Sequence, residues 1–364
     1  MSLKNLLNTH KSTYKLYRKD FSVIRLCKEC ALFAKDYFFG IGKGFPTNIN
    51  LVLTNRCNQA CEICYDSKIL NKNSGELDLK ELERLIDSVK SKKPLFFITG
   101  GEPFMRKDIF LLLDYLKENK LSFGLCTNGS LLTEHMIKRL ADLNPANLVF
   151  SIHGTEKIHD EITGKKGNYA KAVKSIKQFC SLKEGTYVLV NYVLQEKNAS
   201  CLEKAIEESA SAGADAFRIQ HIGFLTSKEM KHNNLTWKKC FHSASPPINQ
   251  YILQAPKFNF EKTIQRIKSK KFMIPVFFKP YLSQDEIEQW HNPEFGVKRK
   301  CFFLWKAVYV APNGNVFPCQ TIKLKLGNIK EKSLEEIYNS SKARKLRSII
   351  KKGLLPACSR CCKL

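Results

Sequence analysis

The chain has 364 residues, 14 of them cysteine, with 43% hydrophobic and 26% charged residues and a formal net charge of +26 at pH 7. This composition excludes a disordered or fibrous chain and leaves room for one large barrel with an appendage, or for two to three smaller domains. Residues 1–20 lack the apolar core and cleavage site of a signal peptide, and the apolar stretch 21–40 is broken by Arg25, Lys28, Glu29, Lys35 and Asp36, which excludes a membrane-spanning helix. The expected location is therefore cytoplasmic, where grouped cysteines point to metal or cluster ligation rather than to disulfides.

Residues 1–46 form a basic amphipathic lead-in carrying +6. Its apolar face, Val23, Cys27, Ala31, Ala34 and Phe38, suits either the open side of a barrel or the anionic face of the cytoplasmic membrane. Cys27 and Cys30 fall at helical spacing, which reads as packing rather than ligation. From residue 49 short apolar runs alternate with stretches of 3.6-residue periodicity. Runs 49–54, 95–100, 122–127, 147–152, 187–194 and 216–222 read as strands, with helices at 78–92, 107–120, 133–144, 168–183 and 201–213. Asp78 with Glu81 and Ser200 with Glu203 have the spacing of capping boxes. Six βα units in series imply an α/β fold, a partial (β/α)6 TIM-type barrel over residues 47–222, with ligands collecting at the carboxyl ends of the strands.

Residues 223–300 break this rhythm and read as a substrate region, with a helix at 258–270, an apolar run at 272–278 and a capping box at Ser283 and Glu286. Residues 301–364 read as a small β-hairpin-plus-helix domain. Segments 305–311 and 316–318 flank Asn313-Gly314, a tight-turn pair, and Ser333 with Glu336 opens one basic helix running to residue 350.

Directly after the first strand, Cys57, Cys61 and Cys64 stand at CxxxCxxC spacing. A structural zinc site wants four ligands, whereas three thiolates can hold three irons of a 4Fe-4S cluster and leave the fourth iron open. The next strand ends in Thr99-Gly100-Gly101-Glu102-Pro103, two glycines that permit close backbone approach and a carboxylate at the same rim. With both motifs in place the chain resembles the radical S-adenosylmethionine (SAM) superfamily over residues 47–222. The resemblance implies that Cys57, Cys61 and Cys64 ligate a 4Fe-4S cluster that binds SAM. Gly100, Gly101, Glu102 and Pro103 would bind the methionine end, and Ser151 would lie near the sulfonium and ribose. Asn191, Arg218 and Gln220 are further SAM or substrate candidates, and His153 stands where many members have Asp. The implied chemistry is reductive cleavage of SAM to a 5′-deoxyadenosyl radical that abstracts hydrogen from substrate, with a flavodoxin- or ferredoxin-like donor as electron source.

Cys301, Cys319, Cys358 and Cys361 form a second group whose spacing fits zinc or a 4Fe-4S cluster. Their order, with Pro318 before Cys319 and a terminal CxxC, resembles the SPASM and shorter twitch extensions of radical SAM enzymes, which implies one auxiliary cluster for electron transfer. Cys362 is surplus, and Cys126, Cys180, Cys201 and Cys240 read as isolated structural cysteines. The charge is spread unevenly, +2 over residues 47–220 against +8 over 221–300 and +9 over 321–364. Basic flanks around a neutral middle suggest an anionic substrate or surface. Nucleic acid is not indicated, since no aromatic RNA-binding motif accompanies the basic runs. The expected function is hydrogen abstraction from a small or lipid-linked anionic metabolite. Peptide or protein maturation of the SPASM type is the alternative, and a non-catalytic iron-sulfur electron-transfer protein is the third reading.

Overall fold

Strands buried along most of their length belong in a sheet covered on both faces, and the apolar runs of this chain have that character. The structure, a computed structural model, describes Tyr37, residues 44–72, 75–246, 248, 258, 260–292, 295, 297 and 299–364. Cys27, Cys30 and the face predicted for the lead-in helix lie outside the described residues. The strands are β1 (Asn48–Val52), β2 (Leu95–Thr99), β3 (Phe123–Thr127), β4 (Asn147–Ser151), β5 (Tyr187–Leu194), β6 (Ala216–His221), β7 (Val276–Lys279), β8 (Ala307–Val310), β9 (Asn315–Phe317) and β10 (Gly327–Asn328).

All ten belong to one sheet of order β10-β9-β8-β1-β2-β3-β4-β5-β6-β7. β1 to β7 run parallel in chain order, and β8 adds in parallel on the free edge of β1, with Asn50 opposite Tyr309. The sheet stays open, with β7 and β10 as its free edges, so the fold is a partial TIM-type barrel. β9 and β10 turn back antiparallel from β8, so the hairpin anticipated near the C-terminus extends the barrel's own sheet.

Helices α1 (Leu79–Val89), α2 (Ile109–Glu118), α3 (Glu134–Leu143), α4 (Glu156–Thr163), α5 (Asn168–Leu182), α6 (Glu196–Ala199) and α7 (Leu202–Ser211) connect the first six strands. They are followed by α8 (Ser227–Phe241), α9 (Glu261–Ser269), α10 (Gln284–Gln289), α11 (Leu334–Tyr338) and α12 (Ser341–Lys352). α1 opens with the expected box, Asp78 accepting from the Glu81 amide at 2.7 Å and Glu81 from the Asp78 amide at 2.9 Å. It buries Leu82, Leu85, Ile86 and Val89 against the sheet.

Three local expectations change. Ser200 has helical backbone angles at the end of α6 and cannot cap, so α7 starts after Cys201, and Glu203 pairs with Arg266 and Lys270 instead. The basic C-terminal helix is two helices, because Asn339 caps the Glu335 carbonyl at 2.9 Å and Ser340 accepts from the Ala343 amide to start α12. α8 occupies a stretch without a predicted helix, although Thr226 and Glu229 form a capping box at its start.

A small apolar floor lies on the barrel's inner face, where Val149, Leu189 and Ala216 pack with Phe97, Cys126, Tyr187 and Phe277. The larger core fills the space between sheet and helices. At the end of β4, His153 and His159 stack with ring centroids 6.1 Å apart. The His153 amide donates to His159 Nδ1 at 3.1 Å, and the Val193 amide donates to His153 Nδ1 at 3.3 Å. These bonds need neutral rings, and burial pushes His153 down to about 3 and His159 to about 4.

Because both values lie below the unfolded-state value near 6.5, folding stability is complete above that pH and falls as the pH drops toward 4. In urea titrations His159→Gln should make this decline shallower, by up to about 1.4 kcal/mol per pH unit for the proton it no longer takes up.

Candidate active site

The loop after β1 is shaped by backbone contacts with its neighbours. Gly101 N–H donates to the Thr54 carbonyl at 2.8 Å, and Glu102 N–H donates to the Arg56 carbonyl at 2.8 Å. A Cβ on Gly101 would stand 2.3 Å from the Arg56 oxygen, and one on Gly100 2.7 Å from that of Thr54. The two glycines therefore admit the cysteine loop itself, a closer constraint than any ligand would set. On its far side the loop is pinned to α4, with Ala60 N–H on the Thr163 carbonyl at 3.2 Å and Glu62 N–H on that of Ile162 at 3.0 Å. Asn71 closes it by accepting from the Cys57 amide at 2.9 Å and donating to the Cys57 carbonyl at 3.2 Å.

Within this frame Cys57, Cys61 and Cys64 are partly buried. Burial pushes Cys61 up to about 12 and Cys64 to about 11, and neighbouring thiols of the trio raise both further, so the group would repel itself as bare thiolates. A bound polynuclear cation relieves that repulsion. Among the described residues no three His, Cys, Asp or Glu side chains converge tightly enough for a single metal ion. Cluster thiolates stand farther apart than the ligands of one zinc. Gln59, also buried, leaves its Nε2 without a hydrogen-bond acceptor two residues before Cys61, which suits a sulfide neighbour. The donor set thus fits a 4Fe-4S cluster.

Glu102 is 1% exposed. Its carboxyl accepts from Thr127 Oγ1 at 2.8 Å, the Asn128 amide at 2.8 Å and the Phe104 amide at 3.3 Å, clamping the rim of β2 to that of β3. Burial outweighs these bonds and pushes the carboxyl up to about 7. Arg106, which sequence reasoning missed, is buried beneath the loop. It donates to the Leu53 and Leu77 carbonyls at 3.3 and 2.9 Å and is held by Asp108 at 2.6 Å. Asn128 donates to Asn58 at 2.9 Å, tying the Thr127-Asn128-Gly129 turn to the cysteine loop.

Across the barrel, Ser151, Asn191 and Arg218 are register partners on β4, β5 and β6. Ser151 Oγ lies 3.8 Å from Cys126 Sγ, and Asn191 Oδ1 accepts from Arg218 Nε at 2.7 Å. Gln220 shares that face and has Lys279 of β7 as its register partner. The His153 ring is committed to the backbone bonds already described.

Cys301, Cys319, Cys358, Cys361 and Cys362 line one cavity, which Tyr65 also lines. Amides of Ile322 and Lys363 donate to the sulfurs of Cys319 and Cys361 at 3.3 and 3.4 Å, a pattern that suits cluster thiolates. Tyr65, next to Cys64, puts its hydroxyl 4.0 Å from Cys362 Sγ, so the first cysteine loop reaches the second group through this side chain. The terminal CxxC is anchored on α8. Asn233 Oδ1 accepts from the Ala357 amide at 3.2 Å, and buried Arg360 pairs with Glu229 while donating to the Trp290 and Asn292 carbonyls at 3.0 and 2.8 Å.

An open parallel barrel with a cysteine loop after its first strand and a second cysteine group around a cavity defines an iron-sulfur enzyme class. Residues 51–208 match the Radical SAM superfamily, and residues 301–362 match SPASM, an iron-sulfur cluster-binding domain. The chain belongs to the radical SAM superfamily, and its cofactors are SAM, a 4Fe-4S cluster that binds it and an auxiliary cluster in the SPASM region. It is 27% identical over 312 residues to the AdoMet-dependent heme synthase of Methanosarcina barkeri, covering 83% of this chain and 85% of that protein. It is 25% identical over 307 residues to the antilisterial bacteriocin subtilosin biosynthesis protein AlbA of Bacillus subtilis, covering 83% of this chain and 61% of that one. The crystal structure of Streptococcus suis SuiB superposes with a TM-score of 0.64 at 17% identity over 86% of this chain and 72% of that one, a likeness of fold.

Arg360→Met should destabilise the protein by about 3–5 kcal/mol in urea unfolding, because the Trp290 and Asn292 carbonyls lose their donor and half-buried Glu229 loses its cation. Adding Glu229→Gln to that variant should recover part of the loss.

Proposed function

We propose that the protein is a radical SAM maturase that abstracts hydrogen from a peptide, with Cys57, Cys61 and Cys64 holding the SAM cluster and Cys301, Cys319, Cys358 and Cys361 the auxiliary one. The observation that carries the two-cluster reading is the gathering of Cys301, Cys319, Cys358 and Cys361 around one cavity, separate from the trio and lined also by Tyr65. Peptide substrates are supported by relatives named for such work, AlbA and, at 24% identity over 312 residues, the PqqA peptide cyclase of Granulibacter bethesdensis. The open sheet, with β7 as a free edge, gives an extended chain a side entrance. The small or lipid-linked anionic metabolite is the weaker reading, favoured by the cations Arg218 and Lys279 and by the heme and pre-heme synthase relatives. A passive electron-transfer protein has no use for the SAM end.

When bound, the cluster and SAM supply a 5′-deoxyadenosyl radical. The protein's own part is placement. The stretch Gly100, Gly101, Glu102 and Pro103 would hold the methionine end of SAM beside the cysteine loop, with Glu102 fixing the rim. Ser151 faces the same lumen for the ribose end, and Asn191 positions Arg218. The apolar floor around Val149 and Leu189 keeps water and stray hydrogen donors from the reacting carbon. A reducing protein such as flavodoxin or ferredoxin delivers the electron, as radical SAM enzymes generally require. No helix among the described residues is long and apolar enough to cross a membrane.

The test is anaerobic reconstitution with reductant and SAM. About eight irons per chain are expected for two 4Fe-4S clusters. Release of 5′-deoxyadenosine should vanish when Cys57, Cys61 and Cys64 are all replaced by Ala, and undiminished release sinks the assignment. About four irons plus one zinc would make the second group structural. Deuterium moving from a labelled candidate peptide into 5′-deoxyadenosine supports the maturase, whereas transfer only from a labelled small metabolite supports the weaker reading.

A further inference from the structure

The barrel's inner wall carries a pair of cations that no carboxylate among the described residues answers. Arg218 on β6 and Lys279 on β7 point to the same face, because Gln220, two residues from Arg218, is the register partner of Lys279. Both are half-buried. They stand just beyond the apolar floor, since Ala216 in that floor is two residues before Arg218 and Phe277 two before Lys279. Arg218 does not swing freely. Asn191 takes its Nε at 2.7 Å, which leaves the two terminal nitrogens to point onward as a fork. Among the described residues no acidic side chain forms an ion pair or hydrogen bond with either cation. The charged groups acting most strongly on Lys279 are Arg218, Lys363, Lys306 and the Cys362 thiol; burial first and then the three cations push its ammonium down to about 8, while Cys362 opposes them.

Two like charges held together in a partly dry site cost free energy unless an anion joins them. A planar carboxylate matches the free edge of a guanidinium bidentately, with the ammonium closing over its second oxygen. We infer that Arg218 and Lys279 form a seat for a substrate carboxylate, across the lumen from the cysteine loop that follows β1. This rests on the radical SAM reading and deepens it. The substrate would enter with a carboxylate on β6 and β7 and its reacting C–H group toward the SAM side of the lumen. For a peptide the carboxylate is an Asp or Glu side chain or the C-terminus, and for a small metabolite it is the molecule's own acid group. Asn191 is then a positioning residue, acting through Arg218.

Lys279 itself is the reporter, because an amine pushed down to about 8 reacts readily with trinitrobenzenesulfonate. The cluster-loaded protein is labelled anaerobically at pH 8, and the rate at Lys279 is read by peptide mass. It is measured with no addition, with succinate, with the tripeptide acetyl-Ala-Glu-Ala-amide, with its Gln counterpart, with inorganic phosphate and with SAM. The expected result is at least fivefold slowing by a carboxylate probe and none by the Gln tripeptide. Arg218→Gln should weaken that protection about tenfold, the loss of one bidentate charged bond. Arg218→Lys, which keeps the charge in the same wall, serves as the second variant if Arg218→Gln does not fold, and should also protect less well than the parent.

Protection by SAM alone would give the seat to the cofactor and overturn the inference. So would protection by phosphate but by neither carboxylate, or equal protection in the Arg218 variants. Release of 5′-deoxyadenosine is followed in the same samples. Release without carboxylate protection removes the seat and leaves the enzyme class standing. Protection by succinate but not by the acidic tripeptide keeps the seat and removes the peptide reading.

Discussion

The backbone of the cysteine loop rests directly on the backbone of Gly100 and Gly101, and the site is organised around that contact. A methyl group at Gly101 would overlap the Arg56 carbonyl, so the two chain segments meet with nothing between them. From this contact the other supports radiate. Arg106 gathers the carbonyls below the loop, Glu102 locks the second rim to the third, and Asn58 and Asn128 extend the tie to the turn after β3. Each support is short and polar, and each is buried or half-buried. The result is a loop held by strand ends, which places its thiols more firmly than a surface loop could.

The second organising feature is the parallel pairing of β8 with β1. Asn50 of β1 reinforces it by donating its side-chain amide to the Val308 carbonyl at 3.1 Å. Because β8 follows Cys301 and β9 precedes Cys319, this pairing carries two cysteines of the second group to the strand that leads into the first group. Glu229 and Asn233 of α8 then hold the terminal CxxC in place. Tyr65 fills the remaining gap, and its neighbour Asp66 pairs with Lys323 at 3.7 Å.

How much of this could be read in the sequence depends on how far apart the partners lie. The βα rhythm, the cysteine trio and the Gly-Gly-Glu-Pro rim are local patterns, and the strands match their apolar runs to within one or two residues. The glycines were legible as sites of close approach, but what approaches them was not, since that is backbone. Arg106, the clamp on Glu102 and the bond between Asn191 and Arg218 depend on side-chain direction between segments that no single window contains. The β8 pairing joins residues 258 positions apart and has no local signature. The basic flanks dominate the net charge, yet Arg218, one member of the cation pair on the inner wall, comes from the nearly neutral middle.

That long-range pairing sets an order of events during synthesis. β1 emerges before the other strands, but the strand that covers its free edge is made only after about 250 further residues. Until then the nascent chain exposes an apolar strand edge beside three unshielded thiols, the condition in which mispairing and oxidation compete with folding. Pairing so distant in sequence makes the docking of β8 on β1 a late and slow step. An auxiliary cluster has no finished cavity to enter before that step, whereas the first cysteine loop, built from β1, β2, β3 and α4, can be complete while the rest of the chain is still on the ribosome.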